Sequence, residues 1–246
     1  MKRFKGKVAL VTGAGGGIGL ATAKRIAEEG GTVVAGLLDE SQRAAIGTLD
    51  GVVLDVRSEQ AWDAAMDYVA GKYGGLDVLV NNAGISPQAT AEETSWEMWD
   101  DVMAVNLKGT FIGCKKAIPL MRKRGGGAIV NLASINAIRG NTRLVAYAAT
   151  KGAVLAMTMS LALDHVSENI RVNCVCPATI ETDMVRQMLS EAADLEAATR
   201  GITAKHPIGR MAQPEEVAST IAFLASGDAS FMTGLAIPVD GGRSIR

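Results

Sequence analysis

Short apolar runs recur along this chain, each entering a turn rich in glycine, asparagine or proline and then a helical stretch. No other feature constrains the fold as strongly. Val8 to Val11 reads as a buried strand running into Thr12-Gly13-Ala14-Gly15-Gly16-Gly17-Ile18-Gly19. A helix follows from about Leu20 to Glu29, and Gly30-Gly31 stops it. Val33 to Ala35 is a second strand, and Val52 to Leu54 a third that ends at Asp55. After a helix from about Glu59 to Tyr73, Val78 to Val80 enters Asn81-Asn82-Ala83-Gly84. Two helices, about Trp96 to Val105 and Leu107 to Arg124, precede a strand from Ala128 to Leu132. The helix through Tyr147 runs to about Val166, and Arg171 to Cys176 is a strand closed by Pro177. Pro214 opens a last helix to Ala225, as proline at a first turn should, before a short strand at Ala236 to Val239. Apolar strands alternating with helices predict an α/β fold: a doubly wound parallel sheet of about seven strands with helices on both faces.

Nothing in the 246 residues divides this pattern, so one domain over 1–246 is expected. The stretch from Thr182 to Arg210 is the exception to its regularity. It is polar, with Met184, Met188 and Leu189 at partial helical spacing, and is expected to form a mobile helical insertion over the site. A net charge of -1 offers no basic field for nucleic acid. Lys2, Arg3, Lys5 and Lys7 read as a solvated terminus. Cys174 and Cys176 share one face of their strand, and neither His165 nor His206 adds ligand-like spacing. Buried free thiols and no metal site are expected. No apolar run approaches membrane length, which predicts a cytoplasmic protein with no membrane partner.

Two stretches carry chemistry. The turn after the first strand places Gly13, Gly17, Ile18 and Gly19 between a strand and a helix. Glycines there let the backbone approach a pyrophosphate, and the helix offers unpaired N–H groups at its positive end. The second stretch runs from Ser134 to Lys151. Tyr147 and Lys151 lie four apart, on one face of a helix. A lysine ammonium beside a phenol favours phenolate, and so makes a proton acceptor of a group that titrates near pH ~10 on its own.

Together these motifs resemble the short-chain dehydrogenase/reductase family over essentially the whole chain. They are Thr12-Gly13-x-x-x-Gly17-x-Gly19, Asp55-Val56, Asn81-Asn82-Ala83-Gly84, Asn106, Ser134 and Tyr147-x-x-x-Lys151, in family order. The resemblance implies a Rossmann fold and hydride transfer between a nicotinamide cofactor and a secondary alcohol or ketone. It implies that Tyr147 is the general acid/base, that Lys151 lowers its pKa and holds the nicotinamide ribose, and that Ser134 positions the substrate oxygen. Asn106 would hold a water linking Lys151 to solvent, or bridge a distorted helix. Asp55 and Val56 would border the adenine, with Asn82, Ala83 and Gly84 near the ribose. Asn81 would tie strands together. Pro177, Ile180 and Thr182 would meet the nicotinamide side. A homotetramer is implied as well.

The chain departs from the family pattern in two places. Pro177-Ala178 replaces Pro-Gly, so ordinary backbone angles are expected at Ala178. Leu37 stands where NAD-selective relatives carry Asp, and Gly16 and Leu38 stand where NADP-selective relatives carry cations. Asp39 is the nearest carboxylate and would accept from the ribose hydroxyls, which favours NAD; Arg43 is the residue that could instead serve NADP. Arg139 and Arg143, on the loop before Tyr147, could each anchor a substrate carboxylate. Two other functions fit the fold less well: an idle nucleotide-binding regulator, which would not need all four catalytic side chains, and a nucleotide-sugar epimerase, which needs a longer C-terminal region.

Overall fold

A computed structural model describes residues 2–190, 192 and 194–246; the side chain of Met184, one of the spacing residues above, lies outside the described residues. Seven strands form one parallel sheet in the order β3-β2-β1-β4-β5-β6-β7. They are β1 (Val8–Thr12), β2 (Thr32–Leu37), β3 (Asp50–Val53), β4 (Val78–Asn81), β5 (Gly127–Leu132), β6 (Ile170–Pro177) and β7 (Ala236–Val239). The third strand therefore starts two residues before its apolar run, because its edge position tolerates Asp50 and Gly51 opposite Val34 and Ala35.

Alternation along each strand divides the core. Ala9 and Val11 of β1 face a layer that includes Ala23 and Ile26 of α1 (Gly17–Glu28) and Val217 and Ile221 of α8 (Pro214–Ala225). Val8 and Leu10 face the other layer, with Trp62 and Met66 of α2 (Glu59–Tyr73) and Ile112 and Met121 of α4 (Gly109–Lys123). β1 pairs with β2 on one side and β4 on the other, so the strand order reverses there. In a sheet of this kind the crevice outside that reversal is where ligands bind.

Three expectations change. The helices read as separate around Asn106 are continuous: α3 (Trp96–Val102) passes through a π-helical turn, Met103–Lys108, into α4. Of the N-terminal cations, Lys2 and Lys5 are exposed as expected, but Arg3 and Lys7 are paired. Arg3 grips Glu29 through two hydrogen bonds of 2.5 and 2.7 Å, and Lys7 pairs with Asp77 at 3.1 Å. Finally, α5 (Val145–His165) with its following turn, Val145–Glu168, is long and apolar enough to cross a membrane by length and composition. Only part of its apolar character serves packing on the sheet: Val154 joins Ala133, Cys174 and Cys176 in a buried cluster, while Met159 and Leu163 are exposed.

Beyond β6, α6 (Asp183–Ser190) and α7 (Leu195–Thr203) lie within the 182–210 segment, for which helix was expected.

Candidate active site

At the first turn, Gly13 and Gly17 take left-handed backbone angles, with φ of +61° and +51°. A side chain at Gly13 would stand 3.0 Å from the Ala83 main chain, and one at Gly19 would strike the Gly13 carbonyl. These positions need glycine for space as well as for backbone freedom. Side chains then lock the turn to β4. The Thr12 hydroxyl accepts from the N–H groups of Asn82 and Ala83, both at 3.0 Å. The Asn82 amide donates back to the carbonyls of Thr12 (2.9 Å) and Gly13 (3.1 Å). Asn82, expected near the ribose, is thus a brace for the turn. Thr12, not singled out as a site residue, is its counterpart. The first helix begins at Gly17 behind extended Gly16, with no side-chain cap, which leaves its N–H groups to a ligand.

The ribose-side residues lie at the ends of β2 and β3. Leu37 is buried. The Asp39 carboxylate caps the 3₁₀ turn Glu40–Ile46, accepting from the Ser41 amide at 2.8 Å and from the Ser41 hydroxyl. Those bonds hold its pKa below the usual carboxylate range. Gln42 accepts from Leu38 N–H at 2.9 Å and lies over Gly15. Arg43, the alternative cation for a 2′-phosphate, is held by Glu40 through bonds of 2.5 and 2.8 Å. Asp55 is bound by the guanidinium of Arg57 at 2.8 Å, which lowers its pKa. Val56 is buried and its carbonyl accepts from the Trp62 indole at 3.1 Å.

The four catalytic candidates converge between β5 and α5. Ser134, two residues past β5, caps the turn Ile135–Ala137 by accepting from Asn136 N–H at 3.1 Å. Lys151 is buried, donates to the Leu132 carbonyl at 2.6 Å, and has its ammonium 5.6 Å from the centre of the Tyr147 ring. Burial brings the Lys151 pKa down to about 8. The Tyr147 phenol is raised by burial, and the Ser134 hydroxyl is the group that pulls it back. Lys151 is not among the groups that shift the phenol in this arrangement, where its ammonium is held at the Leu132 carbonyl over the ring face.

Asn106 sits in the π turn, fully buried. It accepts from Ile85 N–H and donates to the Ile85 carbonyl, both at 2.9 Å, and donates to Thr150 at 3.2 Å. Asn106 lies in a distorted helix, as one of its two readings expects, and its side chain ties that helix to Ile85 and to Thr150 of α5. A side chain at Gly84 would lie 3.2 Å from the Asn106 oxygen and 3.6 Å from the Lys151 nitrogen. The missing Cβ leaves a slot edged by both groups. Asn81 bonds Asn131 at 2.9 Å, tying β4 to β5 as expected.

The far wall follows Pro177. Ala178 has no positive φ, as its side chain requires. Ile180 is buried and bridges to Ala212, while the Thr182 methyl would stand 3.1 Å from a side chain at Gly17. Thr182 therefore faces the glycine turn across the crevice. Thr179 N–H donates to His206 at 3.3 Å, and the other ring nitrogen of His206 lies 3.0 Å from the Ile202 carbonyl. Burial depresses the His206 pKa. Neither Thr179 nor His206 stood out in the sequence as a site residue, because a contact across 27 positions leaves no local pattern. The loop arginines separate. Arg143 pairs with Glu93 at 2.7 Å, whereas Arg139 reaches the C-terminal segment.

The uncapped helix start, the glycine floor and the Gly84 slot are chemically suited to a dinucleotide.

The chain is similar to known proteins in sequence and in fold. A family profile described as enoyl-(acyl carrier protein) reductase matches residues 13–244. The chain is 40% identical to the 3-oxoacyl-[acyl-carrier-protein] reductase of Thermotoga maritima, across 98% of each chain. It is also 40% identical to a meso-2,3-butanediol dehydrogenase of Serratia marcescens, covering 98% of this chain and 95% of that one. Its fold is similar to that of the 3-ketoacyl-(acyl-carrier-protein) reductase from Brucella melitensis complexed with NADH, with a TM-score of 0.90 and 36% identity, covering 98% of this chain and 99% of that one.

Proposed function

The chain belongs to the short-chain dehydrogenase/reductase family, and from that premise we infer that it is an oxidoreductase acting on a secondary alcohol or the matching ketone. The observation that carries this reading is the convergence of Ser134, Tyr147 and Lys151 beside the slot at Gly84. The nicotinamide, when bound, supplies the hydride acceptor or donor. The protein handles binding, orientation and the proton. The N–H groups at the start of α1 hold the pyrophosphate, and Gly84 admits the ribose next to Lys151. Ser134 donates to the substrate oxygen and fixes it by Tyr147. In alcohol oxidation the phenolic oxygen takes the hydroxyl proton; in ketone reduction it returns one. Lys151, mostly charged at neutral pH with a pKa of about 8, is placed to hold the ribose and stabilise phenolate once the ribose draws it from Leu132. A water on the Asn106 main-chain carbonyl, which accepts from Thr110 and keeps a second lone pair, would complete the proton path.

The preferred cofactor in this reading is NAD. Gly16 and Leu38 bring no cation, Arg43 is held by Glu40, and a 2′-phosphate would meet Asp39. In this reading α6 and α7 cover the substrate. The enzyme is a cytoplasmic homotetramer, and exposed Phe111, Met159 and Leu163 on α4 and α5 support a subunit contact there. Sedimentation at micromolar concentration should give a tetramer, and a monomer would contradict that part.

The test of function is a turnover screen with NAD and NADP across polyols, hydroxy acids and cyclic alcohols. Cofactor-dependent oxidation of at least one class is expected. Cofactor binding without turnover across the panel would favour an idle regulator.

A further inference from the structure

Most arginines of this chain sit against a side-chain carboxylate, as Arg3 does with Glu29 and Arg210 with Glu216. Arg139 and Arg243 form no such pair among the described residues, and they meet each other. Arg243 is only 6% exposed. Its one side-chain hydrogen bond in the described structure goes to the Thr179 hydroxyl at a long 3.4 Å. The guanidinium carries five N–H donors, so most of its capacity is unmet. Burying a charge without a counter-charge is costly, and burial together with the Arg139 charge lowers the Arg243 pKa. Asp240 is the nearby carboxylate, but it accepts from the main-chain N–H groups of Gly242 (3.0 Å) and Ser244 (2.6 Å) and forms no ion pair with Arg243. Arg139 donates to the Arg243 carbonyl and lies 3.5 Å from the Arg246 main-chain oxygen. It thereby fixes the turn Arg243–Ile245.

This pair lies at the edge of the sheet where the chemistry sits. Ala133 N–H donates to the Val175 carbonyl at 2.9 Å, so Ser134 and Thr179 leave neighbouring strand ends. Thr179 itself is fixed from behind by His206. Arg243 therefore meets a residue that follows β6 at the carboxyl edge of the sheet, one strand from Ser134.

We propose that the substrate of this enzyme carries a carboxylate and that Arg243, with Arg139 as its positioning residue, receives it. The inference rests on the hydride-transfer reading above and specifies its substrate class as hydroxy acids or the matching keto acids. A carboxylate supplies two acceptor oxygens to the guanidinium fork and the ion-pair partner that buried Arg243 lacks among the described residues.

The test compares α-, β- and γ-hydroxy acids with their methyl esters, which keep the carbinol and lose the charge. For each pair kcat/KM is measured on the full chain, and binding to the NADH complex is followed by calorimetry. The wild type should favour one acid over its ester. Arg243→Gln should cut that preference by about tenfold to a hundredfold, chiefly through KM for the acid. Arg243→Lys keeps the charge but not the fork and should fall between. Arg139→Gln should raise KM for the acid while leaving KM for the ester in place, a split that loss of fold would not produce. Wild-type preference for esters, or an acid-to-ester ratio that Arg243→Gln leaves unchanged, overturns the proposal. So does a change in sedimentation with an unchanged ratio, which would assign the pair to a subunit contact. Arg243-dependent binding of an acid without turnover would support the anion site and defeat the hydride-transfer reading instead.

Discussion

The two walls of the crevice are built by different means. The cofactor wall is backbone: glycines at 13, 17 and 19, main-chain N–H groups at the start of α1, and two side chains, Thr12 and Asn82, that tie main chain to main chain. The opposite wall, the substrate wall of the proposed reading, is a set of side-chain ties between distant segments: His206 to Thr179, Arg243 to Thr179, and Arg139 to the C-terminal turn. A backbone cradle accepts one ligand chemistry and fails when atoms are added to it. A wall of side chains can be altered at single positions while the cradle stands. The catalytic residues stand between the two.

Substitutions at that junction and in each wall should separate these behaviours. The largest effect belongs to Tyr147→Phe. Removing the hydroxyl takes away the proton handle and keeps the ring beside Lys151, so turnover should fall at least ~10²- to 10⁴-fold. Cofactor binding, measured by calorimetry, should stay near wild type. Lys151→Ala should lose both activity and cofactor affinity; retention of full affinity would remove the ribose contact from the account.

Gly19→Ala comes next. Its methyl would strike the Gly13 carbonyl and lie 2.5 Å from the Asn82 amide, so the cradle must deform. Overpacking of this kind costs about 1–3 kcal/mol, and the thermal midpoint and cofactor affinity should fall together. Unchanged affinity would show that the turn is not the phosphate floor.

The contrast between the walls also explains what could be read in advance. β1, the glycine turn and α1 occupy consecutive positions, so spacing alone announces them. Tyr147 and Lys151 are one helical turn apart and equally legible. Arg139 and Arg243 meet across 104 positions, and Thr179 and His206 across 27, so no window of sequence holds either pair. The continuous helix through Asn106 escaped for a related reason: a π turn is set by the bonds Asn106 makes to Ile85 and Thr150, not by propensity along the helix. Asp39 was legible as the carboxylate after β2, but its cap on Ser41 depends on the turn that follows.

That cap gives a third prediction. Asp39→Ala should weaken NAD binding by about 1.5–3 kcal/mol if the carboxylate accepts from the ribose, and should narrow the gap between NAD and NADP. Its effect on the thermal midpoint reports the loss of the cap separately. An unchanged NAD affinity would assign Asp39 to the cap alone and leave Leu37 as the ribose-side wall.

The smallest expected effect is a pH dependence of the substrate wall. His206 is buried and its folded pKa lies below the ordinary histidine value near ~6.5. The unfolded chain therefore takes up this proton first as pH falls. The stability the neutral ring provides is whole above ~6.5 and declines as pH drops from there toward the folded pKa. His206→Asn should lower the thermal midpoint at neutral pH and flatten that part of the acid-side slope. A slope that is unchanged would place the titration elsewhere.

The central claim is direct hydride transfer at the site formed by Ser134, Tyr147 and Lys151. Its most direct test uses a secondary alcohol substrate carrying deuterium on the carbinol carbon, with the product nicotinamide analysed by NMR. The account predicts one deuterium per turnover on the nicotinamide ring, delivered to a single face. Deuterium released to water, or a cofactor that returns unreduced while substrate is consumed, would contradict it.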